Sequence, residues 1–347
     1  MPDPIPFPLP GTGRQIQVRS QGRIHFGLME ISEFQPNCYG GIGLMIDHSI
    51  GVIQATIPPS STSQCRIQAD AHWHPRIEAV ANLWLQTHSQ LPIQSISVIE
   101  SPRPHQGLGS GTQMACTVAA LLLAAERFQL GDISNSDLSM PTLFTLDSLA
   151  TVSQRGKRSN IGLCGFLEGG FVVDHGIPVP CKSGISITRT QRVPFPDWPV
   201  LVLQDRNSLG DSGNDEAAMF DRCSGYPNPN REAMATLVQQ EILPAIHACD
   251  WNRFGIALGQ YGRWAGQIFE PVQGGIYRTL QIAKCIEAAK RLGLHGATQS
   301  SWGPTVCAFG QDLEHAHWCR SRLQADLPDV EIKVTNAANF PAQVKLL

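Results

Sequence analysis

The segment Gly107-Leu108-Gly109-Ser110-Gly111-Thr112-Gln113 leads straight into the apolar run Met114 to Ala125, and it has the make-up of an anion cradle. Glycines let the backbone turn tightly and approach a ligand closely. The first N–H groups of the helix that follows have no partner within that helix, and its dipole favours a negative charge there. Ser110 and Thr112 add hydroxyl donors, and no acidic side chain stands in the loop. Upstream, Ile93 to Ile99 reads as a strand and Pro102 and Pro104 punctuate the connector. Strand, connector, glycine loop and buried helix therefore form one unit. No Gly-Lys-Ser/Thr follows, so this is not a Walker loop, nor is it a clean dinucleotide fingerprint. Taken alone, such a loop serves equally well as a turn before a core helix.

Further places could carry chemistry. Arg155-Gly156-Lys157-Arg158-Ser159-Asn160-Ile161-Gly162 concentrates cations between two glycines. Arginine's planar fork suits phosphate or carboxylate, although an isolated basic turn is more often simply solvated. Gln299-Ser300-Ser301-Trp302-Gly303-Pro304 offers hydroxyls, a closely approachable backbone and an aromatic wall, or else an ordinary turn before a strand. His25, in Arg23-Ile24-His25-Phe26-Gly27-Leu28, is a candidate general base. Asp47 and Asp174 both end apolar strands, where each could hold Mg²⁺ or cap a turn. The pairs His72/His74 and His315/His317 invite a zinc reading, but their settings in and beside helices argue against it.

With 347 residues and a net charge of −3, the chain has room for one large or two ordinary domains, and it lacks the basic excess of a nucleic-acid or membrane-surface binder. Its ten cysteines form no C-x-x-C pair, and the proline-punctuated start has no signal-peptide pattern, so reduced thiols and a cytoplasmic location are expected. Met114 to Ala125 is too short to span a bilayer.

Strands are expected at Ile16–Leu28, in a hairpin of Gly40–Asp47 and Gly51–Ile57, at Gly165–Asp174, Ile185–Thr190, Pro199–Leu203, Thr305–Phe309 and Val330–Val334. Helices are expected at 76–90, 142–153, 231–248, 253–267, 276–292 and 313–323, besides the one after the glycine loop. Without regular βαβ repetition the class is α+β. The expected division is a flexible arm over 1–14, a first domain over 15–190 with the glycine loop, and a second α+β domain over 191–347.

The order of strand, glycine loop, buried helix and late small-residue loop resembles the GHMP kinase superfamily. Its departures from the kinases resemble one branch, the β-ribofuranosylaminobenzene 5′-phosphate synthases. That likeness rests on Arg23 to Leu28, Gly40 to Asp47, His105 to Gln113, Arg155 to Gly162, Gly169 to Asp174, Ser212-Gly213 with Glu216, and Ser300 to Thr305. Asn160 stands where the branch is expected to have glycine. The resemblance implies a two-domain fold, with an N-terminal ribosomal S5-like βαβ domain and a C-terminal ferredoxin-like α+β domain. It implies transfer of phosphoribose from 5-phosphoribosyl 1-diphosphate to 4-aminobenzoate or 4-hydroxybenzoate, with loss of CO₂ and diphosphate, Mg²⁺ as cofactor and a homodimer. Gly107, Leu108, Gly109, Ser110, Gly111, Thr112 and Gln113 would cradle one phosphate group. Arg23, Arg155, Arg158 and Ser159 would meet a second anion, and Ser300, Ser301, Trp302 and Gly303 would line the acceptor. His25, Asp174 and Arg158 would be catalytic, and Asp174 or Asp47 would hold the metal. An ATP-dependent small-molecule kinase and a non-catalytic anion binder of the same fold are the alternatives.

Overall fold

The computed structural model describes residues 13–32, 37–101, 103–104, 106–131, 143–179, 184–206, 214–301 and 303–347. Trp302, His105, Ser212, Gly213 and nearly all of the expected arm lie outside them.

The chain runs β1 (Arg14–Glu30), β2 (Asn37–Ile57), β3 (Arg66–Gln68), α1 (His74–Thr87), β4 (Ser95–Glu100), α2 (Ser110–Leu130), α3 (Leu146–Ser153), α4 (Ile161–Glu168), β5 (Phe171–Asp174), β6 (Ile177–Pro178), β7 (Thr190–Val193) and β8 (Val200–Asp205). It continues through α5 (Asn214–Cys223), α6 (Arg231–Leu237), a π-helical turn (Val238–Ile242), α7 (Leu243–His247), α8 (Trp251–Gln267), α9 (Glu270–Gln273) and α10 (Leu280–Arg291). Then come β9 (His295–Gln299), β10 (Thr305–Phe309), α11 (Leu313–Asp326), β11 (Val330–Thr335) and β12 (Gln343–Leu346).

The first sheet follows the order β12-β1-β2-β4-β3, with β5 and β6 on β2 and β7 on β5; the second is antiparallel, β11-β8-β10-β9. One core lies between the first sheet and α1, α2 and α3, where Val118, Leu121 and Leu122 are fully buried. Each such side chain stabilises the fold by roughly 1.5–3 kcal/mol. A second core joins the two sheets through Phe26, Phe171, Phe195, Phe254 and Phe309. Val200 and Val202 point into this core while Leu201 and Leu203 point into a third, under α10 and α11, as the two-residue period of a doubly covered strand requires.

Several expectations change. The hairpin at Asp47–Gly51 is instead an irregularity within one long strand, because both halves of β2 pair with β1: Gly22 faces Ile46, Gln21 faces Ser49 and Ser20 faces Gly51. The extra residues are absorbed as a bulge. Residues 161–168 are helix rather than loop and strand. Gly162 and Gly165 permit close packing there, since a Cβ would lie 2.9 Å from the Thr112 methyl and 2.4 Å from Met45 Sδ respectively. The expected strand at 185–190 begins only at Thr190. The boundary at 190/191 falls within β7, which still pairs with β5, and β12 returns to pair with β1. The C-terminus thus supplies the outer partner that β1 would otherwise lack. Cys116, Cys164, Cys285 and Cys307 are buried free thiols, but Cys38 is disulfide-bonded, contrary to the expectation of uniformly reduced cysteines.

Candidate anion-binding active site

The glycine loop is held by its own apolar residue. Leu108 is buried in the core between the sheets, and its carbonyl accepts from Arg23 N–H of β1 at 2.9 Å. The next residue, Gly109, is the N-cap of α2 with φ 72°, and no side chain caps this helix end. A glycine N-cap offers the first-turn N–H groups no side-chain acceptor, and of these the Thr112 N–H turns back to the Gly109 carbonyl at 3.0 Å.

Guanidinium groups gather around this end. A Cβ on Gly109 would lie 3.0 Å from Arg23 Nε, and one on Gly162 would lie 3.3 Å from Arg23 Nη1. Arg23 therefore occupies the gap between α2 and α4. Arg155 Nη2 donates to Gly111 carbonyl at 3.1 Å, while its buried Nε has no hydrogen-bond partner among the described residues. Arg76, at the start of α1, lies against the other side of the loop, where a Cβ on Gly111 would come within 2.6 Å of its Nη1. Gln113 is fully buried and donates from Nε2 to Gly162 carbonyl at 3.0 Å, tying α2 to α4.

The late loop closes onto the same place. Ser300 Oγ donates to Gly107 carbonyl at 2.7 Å and accepts from His25 N–H at 3.2 Å. Ser301 N–H donates to His25 carbonyl at 2.6 Å. Gly303 carbonyl would lie 3.2 Å from a Cβ on Gly107, whose φ is 73°, so only glycine allows the two loops this proximity. Thr305 Oγ1 donates to Gln106 carbonyl.

His25 sits in the bulge of β1. Its Nδ1 accepts from Gly27 N–H at 3.1 Å, which leaves Nε2 to carry the proton of the neutral ring. Burial, and secondarily the Arg23 charge, lower its pKa to about 3. His25 is thus neutral throughout the working range, suited to donate a hydrogen bond rather than to take up a proton.

The other expected site residues divide. Arg158 lies with its guanidinium carbon 4.1 Å from the centroid of the Phe220 ring on α5, a cation–π contact. Ser159 Oγ accepts from Ile161 N–H at 3.2 Å, shaping the turn into α4. Asp174 is fully buried with both oxygens engaged: Oδ2 accepts from Asn160 N–H at 2.7 Å, and Oδ1 from Gly176 N–H at 3.0 Å and Thr188 Oγ1 at 2.7 Å. Asn160 has φ −95°, so the position needs no left-handed backbone, and its Nδ2 donates to Ser186 carbonyl at 2.8 Å. Asp47 is exposed and lines a separate open cavity of about 250 Å³ with His48, Arg320 and Lys333. Among the described residues no group of three or more His, Cys, Asp or Glu side chains is placed to hold a metal. Among the described residues the arrangement around the glycine loop suits an anion, and neither Asp174, whose oxygens are both engaged, nor Asp47, which lines another cavity, faces it. Among the described residues neither H-x-H pair belongs to a group of three such side chains.

Arg76 was not singled out by sequence reasoning. An arginine after His74-Pro75 in a first helical turn is unremarked locally, and nothing in the spacing ties residue 76 to residue 111.

Residues 242–329 match the family described as GHMP kinases C terminal. The chain is similar to a β-ribofuranosylphenol 5′-phosphate synthase of Archaeoglobus fulgidus, 26% identical over 303 residues, covering 85% of this chain and 87% of the relative. The enzyme of the same name from Methanothermobacter thermautotrophicus is 22% identical over 310 residues, covering 84% and 88%. The solved homoserine kinase of Cytophaga hutchinsonii superposes with a TM-score of 0.61 at 12% identity, covering 98% of this chain and 100% of that one. The fold is the two-domain α+β fold of the GHMP kinases, as the sequence led us to expect. Among the described residues no helix is long and apolar enough to cross a membrane.

Proposed function

We propose that this chain, similar along most of its length to β-ribofuranosylphenol 5′-phosphate synthases and built on the GHMP kinase fold, transfers phosphoribose from 5-phosphoribosyl 1-diphosphate to a para-substituted benzoate. The ring carbon bearing the carboxylate bonds to C1 of the ribose as the C1–O bond to diphosphate breaks. The bond to the carboxylate then breaks, CO₂ leaves, and its electron pair restores the aromatic ring. A phenol in the relatives' name favours 4-hydroxybenzoate over 4-aminobenzoate as acceptor.

The observation that carries this reading is the placement of Arg23 and Arg155 at an uncapped helix N-terminus with neutral His25 beside them. Guanidiniums and first-turn N–H groups stabilise the charge that develops on a departing diphosphate. His25, holding its proton on Nε2, is a donor for the para oxygen of the acceptor. Mg²⁺ belongs to the proposal as an ion carried by the donor's own diphosphate oxygens, since Asp174 and Asp47 do not offer it a site. A cytoplasmic homodimer acting in tetrahydromethanopterin biosynthesis completes the reading.

The test is a product assay. Protein with Mg²⁺, 5-phosphoribosyl 1-diphosphate and carboxyl-labelled 4-hydroxybenzoate or 4-aminobenzoate should release labelled CO₂ and diphosphate without ATP. The kinase reading is favoured only by the fold shared with homoserine kinase; ATP-dependent phosphorylation of an alcohol with no CO₂ would establish it instead.

The two arginines of the cationic loop are expected to differ. Arg155→Lys should lower kcat/KM roughly tenfold to a hundredfold, the equivalent of about 1.5–3 kcal/mol for a lost charge-assisted hydrogen bond. Arg158→Lys, altering a contact with Phe220, should change it severalfold at most. Steady-state kinetics at two salt concentrations checks both, because diffuse surface attraction would be screened. Equal sensitivity at the two positions would place both arginines on the substrate.

A further inference from the structure

We infer that Tyr261 of α8 is a positioning residue for His25: its hydroxyl holds Gly27 in the bulge of β1, and Gly27 in turn holds the His25 ring with the proton on Nε2. The inference rests on the phosphoribosyl-transfer reading, in which that Nε2–H is the donor to the para oxygen of the acceptor, and adds to it a residue from the second half of the chain.

The register of β1 on β2 slips between His25, which faces Gly43, and Leu28, which faces Gly41. Phe26 and Gly27 therefore stand together against Ile42 alone. A bulge of this kind takes backbone groups out of the ladder, and where they are buried they need other partners. Tyr261 is one such partner, its hydroxyl donating to the Gly27 carbonyl at 3.0 Å. Gly27 has φ 115°, and a Cβ there would overlap that of Ala265, one turn further along α8. The bulge is thus pressed against the helix at a place only glycine allows. From there the Gly27 N–H donates to His25 Nδ1 at 3.1 Å.

The hydroxyl is the informative group. Tyr261 is fully buried in the core between the sheets, together with Phe254 and Leu258 of the same helix. Phenylalanine would serve the packing equally well, and a hydroxyl buried without a partner costs stability. Burial raises the Tyr261 pKa, against a smaller lowering by the Ile42 backbone N–H, so the phenol is a protonated donor throughout the working range. The late loop grips the same strand one residue pair away, with Ser300 Oγ accepting from His25 N–H and Ser301 N–H donating to His25 carbonyl. The backbone before and after the His25 ring is therefore held from α8 and from the loop after β9. With Nδ1 engaged as an acceptor, the neutral ring carries its proton on Nε2. Loosening Gly27 would let that proton exchange between the two nitrogens.

The experiment uses the full chain with ¹⁵N-labelled histidines and reads the His25 ring by long-range proton–nitrogen correlation, its signals assigned by their loss in His25→Gln. In the parent protein Nε2 should carry the proton and Nδ1 should be bare. In Tyr261→Phe the two nitrogen signals should move toward each other, as in a ring exchanging between tautomers. Measured well below the melting midpoint, kcat for CO₂ release should fall about tenfold, with KM for 5-phosphoribosyl 1-diphosphate within about twofold of the parent. In a His25→Gln background the same change should lower kcat by less than about twofold, because the ring it positions is gone. A parent ring protonated on Nδ1 would overturn the inference, and that spectrum decides the matter even where Tyr261→Phe fails to fold. So would a Tyr261→Phe protein whose His25 signals and kcat match the parent's, even one that melts lower, since the hydroxyl would then serve stability alone. An equal loss of kcat with and without His25 would overturn it too. A parent protein that releases no CO₂ would overturn the phosphoribosyl-transfer reading, whereas the tautomer measurements would still show whether Tyr261 fixes the ring, so the two failures are distinguishable.

Discussion

Gly109→Val is expected to abolish binding of 5-phosphoribosyl 1-diphosphate while leaving the chain folded. Gly109 has φ 72°, a region a β-branched residue enters only under strain. That strain costs about 1–3 kcal/mol, which a domain stable by roughly 5–15 kcal/mol can absorb. The functional cost is larger because of what the new side chain would meet. Its Cβ would lie 3.0 Å from Arg23 Nε and 3.3 Å from Arg23 Cβ, and the two further methyl groups would need space that the guanidinium now occupies. The substitution therefore closes the backbone approach to the anion and displaces a cation at the same time. Calorimetric titration with the donor, beside circular dichroism to establish folding, is the measurement. A folded variant with unchanged donor affinity would reduce the loop to a turn.

Asp174→Ala is expected to act on stability rather than on metal binding. The substitution strands Asn160 N–H, Gly176 N–H and Thr188 hydroxyl in a fully buried place. Each unsatisfied group costs about 1–3 kcal/mol, so the sum is several kcal/mol and the melting midpoint should fall by roughly 10 °C or more. Asp174→Asn keeps the volume but brings an NH₂ among donors, and should recover only part of the loss. Because Asp174 fixes the Asn160 N–H immediately before α4, activity should fall together with stability and return on cooling. Thermal melts and activity over a temperature series check this. A variant with an undisturbed midpoint whose only defect is a raised Mg²⁺ requirement would restore the carboxylate to a metal-binding role.

The sequence by itself determined the pieces whose chemistry is local. Alternating glycines before a run of strong helix formers could build only a few structures, and the loop and α2 formed where the residues put them, with Gly109 as the left-handed cap. The alternation of β1 and the short apolar runs around residues 201 and 306 were equally legible as strands. The resemblance carried by several short motifs, in order along the chain, identified the superfamily fold that each motif alone left open.

Only the tertiary structure decided which polar residues meet. Arg155 and Arg158 are neighbours in sequence and of one chemistry, yet one reaches Gly111 and the other Phe220, because the turn at Gly156 directs them to different elements. Asp174 ends an apolar strand as a metal ligand might, but the loops that fold over it bring three donors that its sequence neighbours do not reveal. His25 reads as a titrating base until burial and the Arg23 charge depress it to about 3. Arg76 reaches Gly111 only because α1 packs beside α2. In each case the deciding quantity is a desolvation cost or a contact between segments far apart in the chain, and neither is a property of a residue and its immediate neighbours.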